Sequence, residues 1–186
     1  GGDELFGGYT RYRPHPRVQT FDRLTTGVGR ALAAAAWRTL PHGARGKNFL
    51  RHVARDARGR YIDSVTFYHA DERAALLSHD VRRELAGWDA EAYFEQPFRR
   101  LAHLPAQAQM MAFDFETYLP EDCLVKVDRM SMAHSIESRV PLLDHVVVEF
   151  AASLPASMKM PGGRLKHLLK ALAFSLVPRE LLDRPK

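Results

Sequence analysis

Apolar positions recur at three- and four-residue intervals along most of the chain, the spacing of one face of an α-helix. Phe21, Leu24, Val28, Leu32 and Ala35 predict a single helix that Pro41 and Gly43 close. Residues 44–60 are basic and weakly patterned, with Phe49, Leu50 and Val53 as the clear apolar positions. Ile62, Val65, Phe67 and Tyr68 form a short apolar run whose length is compatible with strand or helix. Asp71 is a candidate N-cap for a turn through Ala74, Leu76 and Leu77, and residues 78–85 hold a second turn. Residues 91–103 are amphipathic around Tyr93, Phe94, Phe98 and Leu101, with Pro97 interrupting.

Met110, Met111, Phe113, Phe115 and Tyr118 give residues 107–119 a helical apolar surface that reads as core, and Pro120 is expected to end it. Asp122 is then expected to cap a helix reaching about His134 through Leu124, Val127 and Met130. A turn at Pro141-Leu142-Leu143-Asp144 introduces a helix over 146–152, and Pro155 stops it. Pro161-Gly162-Gly163 reads as a loop, residues 165–176 as a further helix, and Pro178 opens a last turn over 179–182. With no alternating strand pattern and no internal repeat, the chain is expected to be mostly α.

Composition narrows the class. The chain has 186 residues, 46% hydrophobic and 26% charged, enough for a buried core. Glycine and proline, 12 and 11, are near average usage, which excludes collagen-like and disordered classes. No apolar run approaches the ~20 residues of a membrane helix, so no membrane partner is expected. A single cysteine, Cys123, rules out an internal disulfide framework and a multi-cysteine zinc site, and fits a reducing, cytoplasmic compartment. The net charge of +5 is uneven: residues 1–60 carry twelve basic and four acidic side chains. That surplus keeps a basic helical nucleic-acid-binding module as an alternative. Arginine outnumbers lysine 21 to 6 throughout, and regular basic spacing interleaved with aromatics is absent, so no nucleic-acid partner is expected. The chain opens at Gly1 inside a glycine-rich motif and closes just after a proline, which predicts a piece of a longer protein; no export signal is expected.

Two stretches carry candidate chemistry. Gly1-Gly2-Asp3-Glu4-Leu5-Phe6-Gly7-Gly8-Tyr9 sets two carboxylates between glycine pairs. Glycines let backbone amides approach an anion, and carboxylates can hold the Mg²⁺ that accompanies a polyphosphate. A plain turn with a capping Asp has the same pattern. The second stretch, residues 118–144, places Lys126, Asp128, Arg129, Glu137, Arg139 and Asp144 among small and apolar residues. Buried there, such charges need partners, either a ligand or a structural ion-pair network. His134 and Glu137 are three apart, but without a third candidate ligand an exposed or satisfied His134 is the expectation.

The opening Gly-Gly-Asp-Glu-Leu-Phe-Gly-Gly-Tyr, the stretch Tyr118 to Asp144 and the closing Leu-Val-Pro-Arg-Glu-Leu-Leu-Asp-Arg-Pro-Lys together resemble the synthetase domain of glutamine-hydrolysing asparagine synthetases. The motifs span residues 1–186 in the family's order; the chain between Arg11 and Ala108 is not diagnostic. The resemblance implies the helical C-terminal portion of an α/β pyrophosphatase-type, adenine nucleotide α-hydrolase-like domain. It implies that the Ser-Gly-Gly-x-Asp-Ser phosphate loop and the N-terminal glutaminase domain lie upstream and outside these residues. Cys123 lies mid-chain in the second motif and is not the glutaminase nucleophile; it is expected to be a small core residue.

By the same resemblance the reaction is asparagine synthesis from aspartate, glutamine and ATP through β-aspartyl-AMP. Asp3 falls on the family's Mg²⁺–pyrophosphate ligand, with Glu4 facing the same site, and the family's acid beside the adenylate would precede Gly1. Asp128 and Arg129, with Glu137 and Arg139, fall in motifs that line the nucleotide cleft. Lys186 falls on the lysine that contacts the phosphates and the developing charge. Implied partners are aspartate, ATP, ammonia from glutamine and the glutaminase domain of the same chain, and a homodimer is allowed. The Arg184-Pro185-Lys186 ending, in place of the commoner Arg-Lys-Lys, also occurs in β-lactam synthetases. A sibling synthetase that makes a β-lactam or cyclises a peptide is therefore the alternative, and an inactive member kept for structure or partner binding is another.

Overall fold

The structure, a computed structural model, describes all residues except Pro14, Thr26, His42, Asp89 and 183–186. Helices follow one another along the chain: α1 (Gly2–Phe6), α2 (Pro16–Leu24), α3 (Gly27–Thr39), α4 (Lys47–Val53), α5 (Ala57–Val65), α6 (Ala70–Leu76) and α7 (His79–Glu84). They continue with α8 (Ala90–Arg100), α9 (Ala106–Glu116), α10 (Val125–Met132), α11 (His145–Ser153), α12 (Ala156–Lys159), α13 (His167–Leu176) and α14 (Arg179–Leu182). The described residues contain no strand, so the mostly α expectation holds, and none of their helices is long and apolar enough to cross a membrane. Short 3₁₀ turns form at Thr10–Tyr12, Pro141–Leu143 and Pro161–Gly163, and a π-helical turn at Leu119–Leu124.

Two compact units divide the chain. The first comprises Gly1–Arg13 with Pro97–Lys186, the second Pro14–Gln96. In the first, α1 is the centre: Leu5 and Phe6 are buried with the fully enclosed Ala151 of α11. Phe115, Leu143, Val148, Leu168 and Leu169 pack around them from α9, the Pro141–Leu143 turn, α11 and α13. Phe98 and Phe113 stack beside this core, their ring centroids 4.8 Å apart. Burying side chains of this size is the main favourable term, about 1.5–3 kcal/mol each. The start of α11 is set locally, because Asp144 accepts a hydrogen bond from the Val146 amide at 3.0 Å.

The second unit is built on Val18, Ala33 and Val53, one each from α2, α3 and α4. The expected single helix through Phe21 and Ala35 is two helices, broken where Thr25 turns extended (φ −121°, ψ 142°). Of its predicted apolar face, Phe21 packs on this core, whereas Leu24, Val28 and Leu32 are 80%, 68% and 66% exposed. A part-buried ion pair of Arg60 with Asp22 adds to this core; Nη1 and Nη2 donate to the two carboxylate oxygens at 2.5 and 2.7 Å. Around Asp63, burial alone would raise the carboxyl, but His52, Arg55, Arg51 and His69 hold it below the usual range.

Hydrogen bonding settles or corrects other local expectations. The run through Ile62 and Val65 is helical, started by Asp56, which accepts from the Gly59 amide, and Phe67 beyond it is exposed. Asp71 lies within α6; the cap is His69, whose amide donates to Glu72. Ser78 does cap α7. Pro120 does not end the helical path: it sits at the start of the π-helical turn, where its missing N–H costs nothing, and the turn leads into α10. Asp122 lies inside that turn and pairs with Lys126 at 2.7 Å.

Candidate functional site

The glycine-rich opening folds as α1 closed by a tight return. Gly7 takes the left-handed conformation (φ 69°), and the Gly8 amide donates to the Asp3 carbonyl at 2.8 Å. This brings Gly8 back over the Asp3 side chain. A Cβ on Gly8 would lie 1.9 Å from Asp3 Oδ1 and 2.4 Å from Lys166 Cε, so only glycine leaves the two side chains room to meet. They do meet: Lys166 Nζ lies 3.0 Å from Asp3 Oδ1 and 3.1 Å from Oδ2. Both side chains remain about a third exposed. Lys166 itself is held in a left-handed conformation at the N-cap of α13, with its amide donating to the Gly7 carbonyl at 3.1 Å.

Glu4, expected to face the same site, is turned inward and is 3% exposed. Its Oε1 accepts the Tyr9 hydroxyl at 2.7 Å. Burial, reinforced by that carboxylate, holds the Tyr9 phenol well above the ordinary tyrosine value. Tyr9 packs edge-on to Tyr12 and to Tyr118, and the Arg11 guanidinium lies over both Tyr9 and Tyr118, 4.1 and 5.0 Å from the ring centres. Arg11 and Tyr12 converge on Asp114, which is completely buried on α9: Arg11 Nη2 donates to Oδ2 at 2.6 Å and the Tyr12 hydroxyl at 2.7 Å.

The second charged stretch meets the first at both ends. Tyr118 at its start packs on Tyr9, and burial, with the Cys123 thiol as neighbour, raises its phenol too. Near its end, Leu142 and Leu143 lie against Gly2 and Gly1, where a Cβ would stand 3.2 Å from Leu142 Cδ1 and 2.3 Å from Leu143 Cδ2. The charges between are not buried in this chain. Asp128 and Arg129 are exposed on α10, and Glu137 pairs with Arg139 at 3.0 Å with both side chains in solvent. Their density therefore carries no burial cost here. Cys123 is partly buried in the π-helical turn, and His134 is exposed. Lys186 lies outside the described residues.

The sequence candidates include neither Lys166 nor Asp114 of this site, nor the buried Lys159 of α12. Lys166 sits in an unremarkable Arg-Leu-Lys stretch with no periodic signal. Asp114 did carry one, since a lone carboxylate between Phe113 and Phe115 implies a buried partner. Lys159 is 7% exposed, and burial pulls its amine below the ordinary lysine value.

The donor set tests the fit of a divalent cation. No group of three or more His, Cys, Asp or Glu side chains among the described residues is arranged to enclose a metal. A single half-open carboxylate beside a glycine cradle suits Mg²⁺, which is held by one or two carboxylates together with substrate phosphates.

The asparagine synthase family model matches residues 1–186. The chain is 33% identical over its full length to asparagine synthetase [glutamine-hydrolyzing] 1 of Bacillus subtilis, of which it covers 29%. It is 34% identical over 198 aligned residues to a putative asparagine synthetase [glutamine-hydrolyzing] of Mycobacterium tuberculosis, covering all of this chain and 28% of that protein. A 66-residue segment, 34% of the chain, is 42% identical to human asparagine synthetase [glutamine-hydrolyzing], 12% of that protein. The chain thus spans less than a third of the bacterial relatives' length. No solved structure gives a significant match.

Proposed function

The chain belongs to the asparagine synthase family, and from that premise we propose that it is the helical C-terminal part of an α/β synthetase domain in an ATP-dependent amide-forming ligase. The reaction is asparagine synthesis. A side-chain oxygen of aspartate attacks the α-phosphorus of ATP, the bond to pyrophosphate breaks, and ammonia from glutamine then attacks the acyl carbon of β-aspartyl-AMP and releases AMP. The observation that carries this reading is the packing of the Gly1–Gly2 and Tyr9 ends of the glycine-rich turn on the two ends of the 118–144 stretch. Two motifs more than a hundred residues apart in the chain become one wall.

Residue by residue, Asp3 is the carboxylate for a cation shared with pyrophosphate. Bound there, Mg²⁺ supplies neutralisation of the leaving phosphate charge. Glu4 supports the wall from within by fixing Tyr9. Asp128, Arg129, Glu137 and Arg139 present charge at the rim of the nucleotide cleft, and Lys186 supplies an ammonium to the phosphates as they depart. Apolar packing behind the wall helps exclude water, which would hydrolyse the acyl-adenylate. The glutaminase domain that delivers ammonia is assigned to the same polypeptide, upstream, and the protein to the cytoplasm.

The test is ATP–pyrophosphate exchange in the complete enzyme, with aspartate and then with other carboxylates. Aspartate-dependent exchange supports the reading; exchange with a different acceptor moves the protein to a β-lactam-forming or peptide-cyclising sibling. Lys186→Ala should lower amide synthesis by ~10²–10³ with ammonia or glutamine alike, leaving glutaminase activity intact. Synthesis within a few-fold of wild type returns Lys186 to an ordinary surface lysine.

A further inference from the structure

Lys166 is held in place by more than its ion pair. Its backbone is left-handed (φ 51°, ψ 35°), one of two non-glycine residues with positive φ among those described. Such a conformation is disfavoured for a lysine and persists where the surroundings require it. Here the Gly7 carbonyl takes its amide at 3.1 Å, and its own carbonyl takes the Lys170 amide at 2.8 Å. The side chain passes close over Gly8 to reach both oxygens of Asp3. The Cα is therefore anchored while the ammonium can move: the side chain is 36% exposed, and a pair this open to solvent is weak.

A monovalent ammonium in a weak, half-open pair occupies the carboxylate read above as the cation ligand. We propose that Lys166 is the resident counter-ion of Asp3, displaced by the divalent cation and thereby handed to the polyphosphate that arrives with it. This rests on the reading of Asp3 as the cation ligand. The charge balance favours the exchange. With the cation on Asp3, the Lys166 ammonium loses its anion but stays within side-chain reach, tethered by the Gly7 hydrogen bond, and phosphate oxygens replace the carboxylate. Lys166 thus binds substrate and couples cation entry to pyrophosphate binding. The competing explanation is a structural pin between the Gly7–Gly8 turn and α13.

The experiment titrates Mn²⁺ alone into the complete, nucleotide-free enzyme by electron paramagnetic resonance, then inorganic pyrophosphate at saturating Mn²⁺. Lys166→Met removes the competing charge, and Lys166→Asn does so with a residue that tolerates positive φ. Both should bind Mn²⁺ roughly three- to tenfold tighter and pyrophosphate at least threefold more weakly. Asp3→Asn should lose Mn²⁺ binding in either background; if it does not, Asp3 is not the cation ligand and the reading beneath the inference fails. If it does, yet neither folded lysine variant tightens Mn²⁺ or weakens pyrophosphate, only the counter-ion role of Lys166 is overturned. The unsubstituted enzyme gives an independent reading by amine labelling of Lys166. Labelling should rise several-fold with Mn²⁺ and fall again with pyrophosphate, and labelling that ignores Mn²⁺ overturns the proposal even where a variant fails to fold.

Discussion

The hydroxyl of Tyr9 donates to the buried carboxylate of Glu4 at 2.7 Å, tying the exit of the glycine-rich turn to its first helix. Tyr9→Phe keeps the ring contacts with Tyr12 and Tyr118 and strips one oxygen of Glu4 of its donor. A buried acceptor left unmade costs about 1–3 kcal/mol, which a urea melt reads directly. The same hydroxyl should not ionise near pH 10, where an ordinary tyrosine is half ionised. In the ultraviolet difference between wild type and Tyr9→Phe, no tyrosinate signal should appear at that pH; one that does shows a solvated phenol.

Asp114 joins Arg11 and Tyr12, about a hundred residues away along the chain, without exposing its own side chain. Asp114→Asn removes the buried charge on which Arg11 and Tyr12 converge and should cost about 2–4 kcal/mol. Arg11→Lys keeps the charge but loses the planar guanidinium whose Nε and Nη2 both donate to Asp114 Oδ2 and which lies over two rings. It should cost about 1–2 kcal/mol, and a loss below a few tenths in either variant would mean that the network is not stabilising.

Gly8→Ala places a methyl where Asp3 Oδ1 and Lys166 Cε now pass. Both obstacles are ends of side chains, so they can swing aside. The expected result is a small change in stability, about 1 kcal/mol or less, with Mn²⁺ binding at Asp3 weakened at least tenfold. Unchanged Mn²⁺ affinity would separate the glycine cradle from the cation site.

Acid should act on the second unit through Asp22. Hydrogen bonding from Arg60, opposed by burial and aided by Arg30, brings its carboxyl down to about 2 from the model-peptide value of 3.8. A carboxylate depressed in the folded state stabilises fully above its unfolded value and loses that contribution as pH falls through about 2. With its side chain 31% exposed, solvent screening limits the effect to about 1–2 kcal/mol. The stability gap between wild type and Asp22→Asn, followed by urea melts from pH 6 to 2, should therefore shrink below about pH 4. A gap independent of pH would show that the pair contributes through packing alone.

Lys159 is buried with its amine depressed by desolvation. Lys159→Met keeps the stem and removes the charge that burial penalises, so it should leave stability unchanged or raise it by up to ~1 kcal/mol at neutral pH. A marked loss would reveal a partner for the ammonium in the complete protein.

Spacing in the sequence determined what is decided within a few residues. Helical periodicity located α9, α11 and α13, and the turn expected over 78–85 falls on α7, which Ser78 starts by accepting from an amide three positions on. The glycine-rich turn was legible for the same reason, since Gly7 needs a left-handed backbone whatever surrounds it. Period alone did not say which face is buried. Leu24, Val28 and Leu32 repeat like a core stripe, yet the second unit is closed by Val18, Ala33 and Val53. Only the tertiary structure brought Lys166 to Asp3 across 163 positions, Arg11 to Asp114 across 103, and Leu143 against Gly1. It also turned Glu4 inward and left the Glu137–Arg139 pair in solvent. Caps and turns are settled by bonds inside one segment. Ion pairs and glycine contacts between distant segments depend on how helices stack, and stacking is set by the packing of many side chains at once.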